Sequence, residues 1–246
     1  MRCVASAALL FWLSNGAAAE GVLQLASGPR EGDLAPAPGL PGFMPEIVDE
    51  AFRRIGLPAR ISILPWARCL VAARFGAVQG IIGASRTPQR ERDYLFSDEP
   101  LALETESLFV RAGDPDLGPL GEDRLAEAHI AIISGSSFGP VLDEAIKAGK
   151  FHHLERTSSI ANLLHMLLNR RVDYIALDRM SVLRVAKIMG VQKQIREMPA
   201  PLFSGSVFLA FTRERDMTDI RRAFDQALRV MKKDGSYDRI FAKYAD

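Results

Sequence analysis

Apolar residues recur along this chain in two alternating rhythms. Within Pro45–Ile55 they fall at Ile47, Val48, Ala51, Phe52 and Ile55, the spacing of one helical face. Gly56 and then Pro58 close that pattern as a helix C-terminus is closed. Short apolar runs stand on either side: Val22–Leu25 before it, Ile61–Leu64 after it, and Val78–Ile82 beyond a second helix predicted over Ala67–Phe75 and stopped by Gly76. This β-α-β-α-β order predicts parallel strands with helices packed on their faces.

The rhythm returns further along. Ile130–Ile133 predicts a strand and Phe138–Ala148 a helix ended by Gly149. Ser158–Asn169 predicts a helix with serine caps and with Ile160, Leu163, Leu164, Leu167 and Leu168 on one side. Val172–Leu177 is too apolar to be wetted on either face, as a central parallel strand should be, and Met180–Ile188 reads as helical. Val207–Phe211 predicts a last strand, followed by a helix from Met217 to about Lys233 and a short one around Tyr237–Tyr244. Ser27–Pro41, with four prolines and three glycines, must be a loop. The fold class is therefore α/β, with two halves alike in rhythm and each a mostly parallel sheet flanked by helices.

The first residues follow another logic. Met1 and Arg2 precede a run that is apolar from Cys3 to Leu13 apart from Ser6, and Ala17-Ala18-Ala19 follows. This reads as a secretory leader, residues 1–19, cut after Ala19. The run is too short for the roughly 20 residues that span a bilayer. The expectation is an exported, soluble protein whose N-terminus lies at or near Glu20, with Cys69 as its single thiol.

Composition narrows the function classes. The 246 residues are 48% hydrophobic and 25% charged, ordinary for a globular chain. With 31 Lys+Arg against 30 Asp+Glu there is no basic excess of the kind a nucleic-acid binder shows, so no nucleic-acid partner is expected. Cys3 and Cys69 make no CxxC, and His129 and His165 lack a partner at metal spacing, so neither a metal nor a cofactor is expected. The adjacent His152 and His153 read as solvated surface. There is no Walker-type phosphate loop, and Ser204-Gly205-Ser206 is not a nucleophile elbow.

In open parallel sheets, ligands bind where strands end and helices begin. After Val78–Ile82 comes Gly83-Ala84-Ser85-Arg86-Thr87-Pro88-Gln89-Arg90, which places hydroxyls and a guanidinium in one loop. Arginine can grip a carboxylate with two parallel bonds, which lysine cannot. After Ile130–Ile133 comes Ser134-Gly135-Ser136-Ser137, an anion-seeking start to a helix. After Val172–Leu177 stands Asp178, whose natural partner is a cation. Two anion-seeking clusters and one cation-seeking carboxylate describe a zwitterion. Each feature also has a structural reading: Ser136 and Ser137 as helix caps, Arg90 as part of a solvated charged run, Asp178 as an N-cap and Trp66 as core.

Four segments carry a resemblance: Ser85–Pro100 (SRTPQRERDYLFSDEP), Ser107–Pro115 (SLFVRAGDP), Arg170–Asp178 (RRVDYIALD) and Asp234–Tyr244 (DGSYDRIFAKY). In order and spacing the chain resembles the extracellular solute-binding proteins of family 3, the polar-amino-acid binders of bacterial ABC importers. That resemblance implies a type II periplasmic-binding fold with two lobes. The first lobe is discontinuous, about 20–108 and 205–246, the second is about 109–204, and the hinge has two strands near Glu106–Leu108 and Ser204–Val207. It implies a monomer that delivers a small solute to a membrane permease without catalysis. It places the substrate carboxylate on Arg90, five residues after Ser85, and on Ser137 with Ser136 beside it. The ammonium falls to Asp178, and Trp66 packs over the ligand.

The chain departs from the family pattern in the side-chain pocket. Ser27–Pro41 has no aromatic residue, and Gln79 stands where the family has Asp. Pro65-Trp66 followed by Arg68 resembles a divergent branch. The expectation is thus an amino acid or related carboxylate whose identity the sequence leaves open. Two other readings use the same residues. An exported dehydratase of a cyclic carboxylic acid would keep Arg90 for the carboxylate and Asp178 as acid or base. A binding module would serve a sensor or an exported redox system.

Overall fold

The structure is a computed structural model that describes residues 21–29, 42–115 and 127–244. The predicted leader and most of the Gly/Pro-rich stretch lie outside the described residues. The elements run β1 (Leu23–Ser27), α1 (Phe43–Arg54), β2 (Ala59–Ile63), α2 (Trp66–Arg74), β3 (Gly80–Ser85), α3 (Pro88–Asp93), β4 (Tyr94–Phe96) and β5 (Ala102–Arg111). They continue with β6 (His129–Ile133), α4 (Pro140–Lys147), β7 (His153–Thr157), α5 (Ile160–Leu168), β8 (Tyr174–Asp178), α6 (Arg179–Ile188) and β9 (Ile195–Glu197). The chain closes with β10 (Phe203–Thr212), α7 (Thr218–Lys233) and α8 (Ser236–Ala242).

Among the described residues the strands join in the order β2-β1-β3-β10-β5-β8-β6-β7, with β4 on β10 and β9 on β5. β1 is parallel to β2 and β3, and β6 is parallel to β7 and β8. Each parallel trio is linked by helices, α1 and α2 in the first half and α4 and α5 in the second, because parallel neighbours need a crossover. The chain thus forms two α/β halves, each built on a parallel trio of strands.

Two long antiparallel strands link the halves in series. β10 pairs with β3 through Val207–Phe211 and with β5 through Phe203–Val207. β5 pairs with β10 through Ala102–Glu106 and with β8 through Glu106–Phe109. Glu106 is therefore the handover residue, with Phe203 on one side and Asp178 on the other.

Burial follows position in the sheet. β3 and β8 are buried along nearly all their length, as central strands are, whereas the edge strands β2 and β7 alternate between half-buried and exposed. Three apolar clusters hold the layers together. One packs α1, α7 and α8 on the first half, around Leu25, Ile47, Phe52, Phe211, Phe224 and Leu228. Another packs α4 on the second half, around Ile130, Phe138, Leu142 and Tyr174. The third joins the halves, bringing Trp66, Cys69 and Ala73 of α2 into one cluster with Ile133, Ile160, Leu163 and Leu164.

A close approach ties the crossing strand β10 to the second half. Gly139, the residue before α4, has φ 92° and ψ 164°, a region essentially reserved for glycine. A Cβ there would lie 2.4 Å from the Cβ of Phe203. Gly139→Ala is expected to lower stability by about 1–3 kcal/mol through the backbone strain alone. The readout is an earlier urea midpoint at unchanged slope. An unshifted midpoint would show that the turn gives way freely.

Candidate functional site

A cavity lies between the two halves, at the carboxyl ends of β3, β6 and β8, with an empty volume of about 530 Å³ counting the space open to solvent. The six residues singled out in the sequence all line it: Trp66, Ser85 and Arg90 from the first half, and Ser136, Ser137 and Asp178 from the second. Glu106 of β5 lines it as well.

Arg90 is not in a loop. Its backbone sits on the short helix α3, whose N-cap is Thr87 and whose first residue is Pro88, a favoured start because proline has no N–H to leave unpaired. The Thr87 hydroxyl oxygen accepts from the Arg90 backbone N–H at 3.2 Å. The side chain is only 8% exposed, so the reading of this charged run as a solvated face does not hold for Arg90. Its Nη1 donates to the Ser85 carbonyl at 3.0 Å and its Nη2 to the Gly135 carbonyl at 2.8 Å, the second across the cleft. The guanidinium lies 5.6 Å from the Trp66 ring centroid. These contacts fix the direction of the fork before any ligand arrives.

Trp66 opens α2 directly after Pro65 and is 5% exposed. Its Nε1 donates to the Gly135 carbonyl at 3.0 Å, so one carbonyl of the second half accepts from two side chains of the first. A charged donor is worth about 1.5–3 kcal/mol and a neutral one about 1 kcal/mol, which makes this turn a latch between the halves. The approach is tight: a Cβ on Gly135, at φ 83°, would lie 3.0 Å from Leu70 Cδ1 of α2. Beneath it, Tyr94 donates its hydroxyl to the Leu70 carbonyl at 2.7 Å, and burial pushes its phenol above the usual range.

The serine turn differs from the sequence expectation. The helix after β6 begins at Pro140 with Gly139 as N-cap, so Ser136 and Ser137 precede it and do not cap it. The Ser137 hydroxyl donates to Asp143 Oδ2, and the Phe138 N–H donates to Asp143 Oδ1 at 2.8 Å. An acidic side chain of α4 thus folds back over its own start and takes donors assigned to an external anion. Ser136 and Ser137 remain at the cavity wall, half-buried.

Asp178 combines both of its readings. It ends β8, caps α6 by accepting from the Ser181 N–H at 2.9 Å, and lines the cavity at 5% exposure. A carboxylate has two oxygens, so capping does not exclude a second task.

Glu106 escaped the sequence reading. It is 8% exposed and lies opposite Asp178 in the antiparallel β5–β8 register. Its signal is present in the alternation Glu104, Glu106, Leu108, Val110, where two acids continue a face that is otherwise apolar. Cys69 and Arg68 stand apart from the site. The Cys69 thiol is buried and donates to the Leu64 carbonyl at 3.4 Å, while Arg68 is exposed. His129 of β6 and His153 of the edge strand β7, both exposed, stack at 4.0 Å. Among the described residues no group of three or more His, Cys, Asp or Glu could hold a metal ion. No helix among them is long and apolar enough to cross a membrane.

Residues 36–246 match the profile of the bacterial extracellular solute-binding proteins, family 3. The chain belongs to this family. Solved structures share its fold. An ancestral arginine-binding protein bound to arginine is 22% identical with a TM-score of 0.78, over 92% of this chain and 99% of that one. The arginine-, lysine-, histidine-binding protein ArtJ from Geobacillus stearothermophilus is 20% identical with a TM-score of 0.76, over 92% and 95%. The GluR0 ligand-binding core from Nostoc punctiforme in complex with (L)-glutamate is 19% identical with a TM-score of 0.75, over 91% and 99%. At these identities the likeness is one of fold. Among curated proteins no sequence match was found. Membership of the family explains why the conspicuous polar groups gather between the halves of the sheet, where a solute can touch both.

Proposed function

We propose that this solute-binding protein captures a small polar solute, an amino acid or a related carboxylate, in the cleft between its halves and delivers it to a membrane ABC permease. The observation that carries this reading is that Arg90 of the first half and Asp178 of the second line one cavity. A guanidinium and a carboxylate in one cleft match the two charges of an α-amino acid. Trp66 supplies an apolar wall beside them.

The lobes of this reading are residues 20–108 with 205–246, and residues 109–204. β5 and β10 would serve as the hinge, since β10 pairs with β3 of the first half, β5 pairs with β8 of the second, and the two pair with each other. Ligand contacts to both lobes would then favour the closed arrangement, which Gly135 already holds through Trp66 and Arg90. The leader, cut after Ala19, would place the monomer in the periplasm. Nothing in the reading requires catalysis or a cofactor.

Mass spectrometry of small molecules released on denaturing the natively purified full chain is expected to yield an amino acid or related carboxylate. Calorimetry of Arg90→Lys with that molecule is expected to show roughly a tenfold or greater loss of affinity, because lysine keeps the charge and loses the fork. A melting curve without ligand separates this loss from the loss of the Gly135 contact. Unchanged affinity would remove Arg90 from the site.

A further inference from the structure

We infer that Arg184 and Tyr244 form a clasp across the two halves, and that this contact, outside the cavity, sets how firmly the cleft stays shut on its solute. The inference rests on the reading of the cleft as a solute site closed by hinge motion. It adds Arg184 as a positioning residue that acts on closure without lining the cavity.

The first support is placement. Arg184 lies on α6 of the second half, and Tyr244 stands just past α8, which packs on the first half. Arg184 Nη2 donates to the Tyr244 carbonyl oxygen. Neither residue is among those lining the cavity, whereas Asp178, the N-cap of α6, lines it. Arg184 stands roughly 9 Å further along the same helix axis. Val182, Val185 and Ala186 bury the inner side of α6 in one cluster with Ile175 and Leu177 of β8, so a pull on Arg184 reaches Asp178 through one packed helix.

The second support is anchoring. Tyr244 is 4% exposed, and its hydroxyl donates to Glu46 Oε2 of α1 at 2.7 Å. Burial and the Glu46 carboxylate push the phenol above its usual range, which keeps it a donor. Its ring lies 6.5 Å from that of Phe43, and Lys243 beside it pairs with the same Glu46. The carbonyl that Arg184 meets is therefore held by the first half, at the carboxyl end of a helix, where a cation is favoured.

The third support is geometry. Neighbouring residues of a strand point to opposite faces of the sheet. Leu25 and Ile82 share a cluster with Tyr244, while their neighbours Ala26 and Ile81 share one with Trp66. Trp66 and Tyr244 thus reach the second half from opposite faces of the first half's sheet, one to Gly135 and the other to Arg184. Halves fastened on one side can still gape on the other; fastening on both sides resists opening about the hinge.

Acrylamide quenching of Trp66 fluorescence tests the inference on the full chain, dialysed free of small molecules. In a Trp12→Phe background Trp66 is the single tryptophan whether or not the leader is cut. Trp66 is 5% exposed and donates across the cleft, so quencher reaches it when the halves part. Loss of a charged hydrogen bond shifts the open-to-closed ratio about tenfold or more, and Arg184→Met is expected to raise the quenching constant about twofold or more. Arg184→Lys keeps a charged donor and should stay nearer the wild-type value. Tyr244→Phe frees the carbonyl from the other side and should raise quenching in the same direction as Arg184→Met. Arg54→Met removes bonds made within the first half, to Glu50, Asp234 and Ser236, and should leave quenching unchanged. Unchanged quenching in Arg184→Met and Tyr244→Phe, even with a lowered melting temperature, would make the contact merely structural and overturn the inference, as would an equal rise in Arg184→Lys or Arg54→Met. The measurement needs no solute, so the clasp can fail while an amino-acid or carboxylate site stands, and mass spectrometry of released molecules tests that site separately.

Discussion

Replacing Phe224 by alanine is expected to lower the stability of the folded chain by about 3–5 kcal/mol, the usual cost of truncating a fully buried phenylalanine. Phe224 lies on the inward face of α7 and is completely buried. Its ring centroid is 5.2 Å from that of Phe52 on α1 and 6.3 Å from that of Phe211 on β10. Three aromatic rings from three elements cannot close over the void that alanine would leave, so the cavity cost adds to the lost transfer energy. For a chain of this size the melting temperature should fall by roughly 6–20 °C in scanning calorimetry. Phe224→Leu, which fills most of the volume, should cost under about 1.5 kcal/mol. Ligand affinity at 25 °C should stay unchanged in both, because none of the three rings lines the cavity. A fall of under about 3 °C in the alanine variant would show that α7 repacks freely.

Phe224 also shows which parts of this fold a sequence reveals. α7 repeats apolar residues at Phe224, Ala227, Leu228 and Met231, a stripe that a helix must bury on one side. α1 and α5 are legible for the same reason, and β3 and β8 because strands buried on both faces read as unbroken apolar runs. β7 is different. His153–Thr157 (HLERT) has almost no apolar signal, because it is an edge strand whose pairing with β6 is written in the neighbour's sequence and not in its own. β4 and β9, each three residues long, are hidden likewise.

At the site, the residues at strand ends were legible, and the contacts between distant segments were not. Arg90 and Ser137 come after strands and Asp178 ends one, where chemistry collects in an open α/β sheet. The helix carrying Arg90 was written in Thr87-Pro88, a cap followed by a favoured first residue, yet the dense charge of the run masked it. The start of α4 was misjudged because Gly139-Pro140 sets the first turn, while Asp143 takes the donors that seemed open to a ligand. Glu106 lies opposite Asp178 only once β5 has left β10 for β8, and that register is a property of the assembled sheet.

Asp178→Asn is expected to weaken amino-acid binding by about 3–5 kcal/mol, the cost of leaving one member of a buried ion pair without its partner. That corresponds to a loss from about a hundredfold to a few thousandfold. Stability without ligand should barely move, because asparagine caps helices about as well as aspartate, so the bond from the Ser181 N–H survives. The same variant separates the three readings of this cleft. If Asp178 served only as a helix cap, calorimetry and melting would both be unaffected. In an exported dehydratase, the substitution would abolish turnover while substrate still bound, because the acid or base acts on the reacting atoms and not on the grip. In a binding protein the grip itself is the function. Affinity should therefore fall while the melting curve holds its place, and retained affinity would mean that the ammonium is met elsewhere.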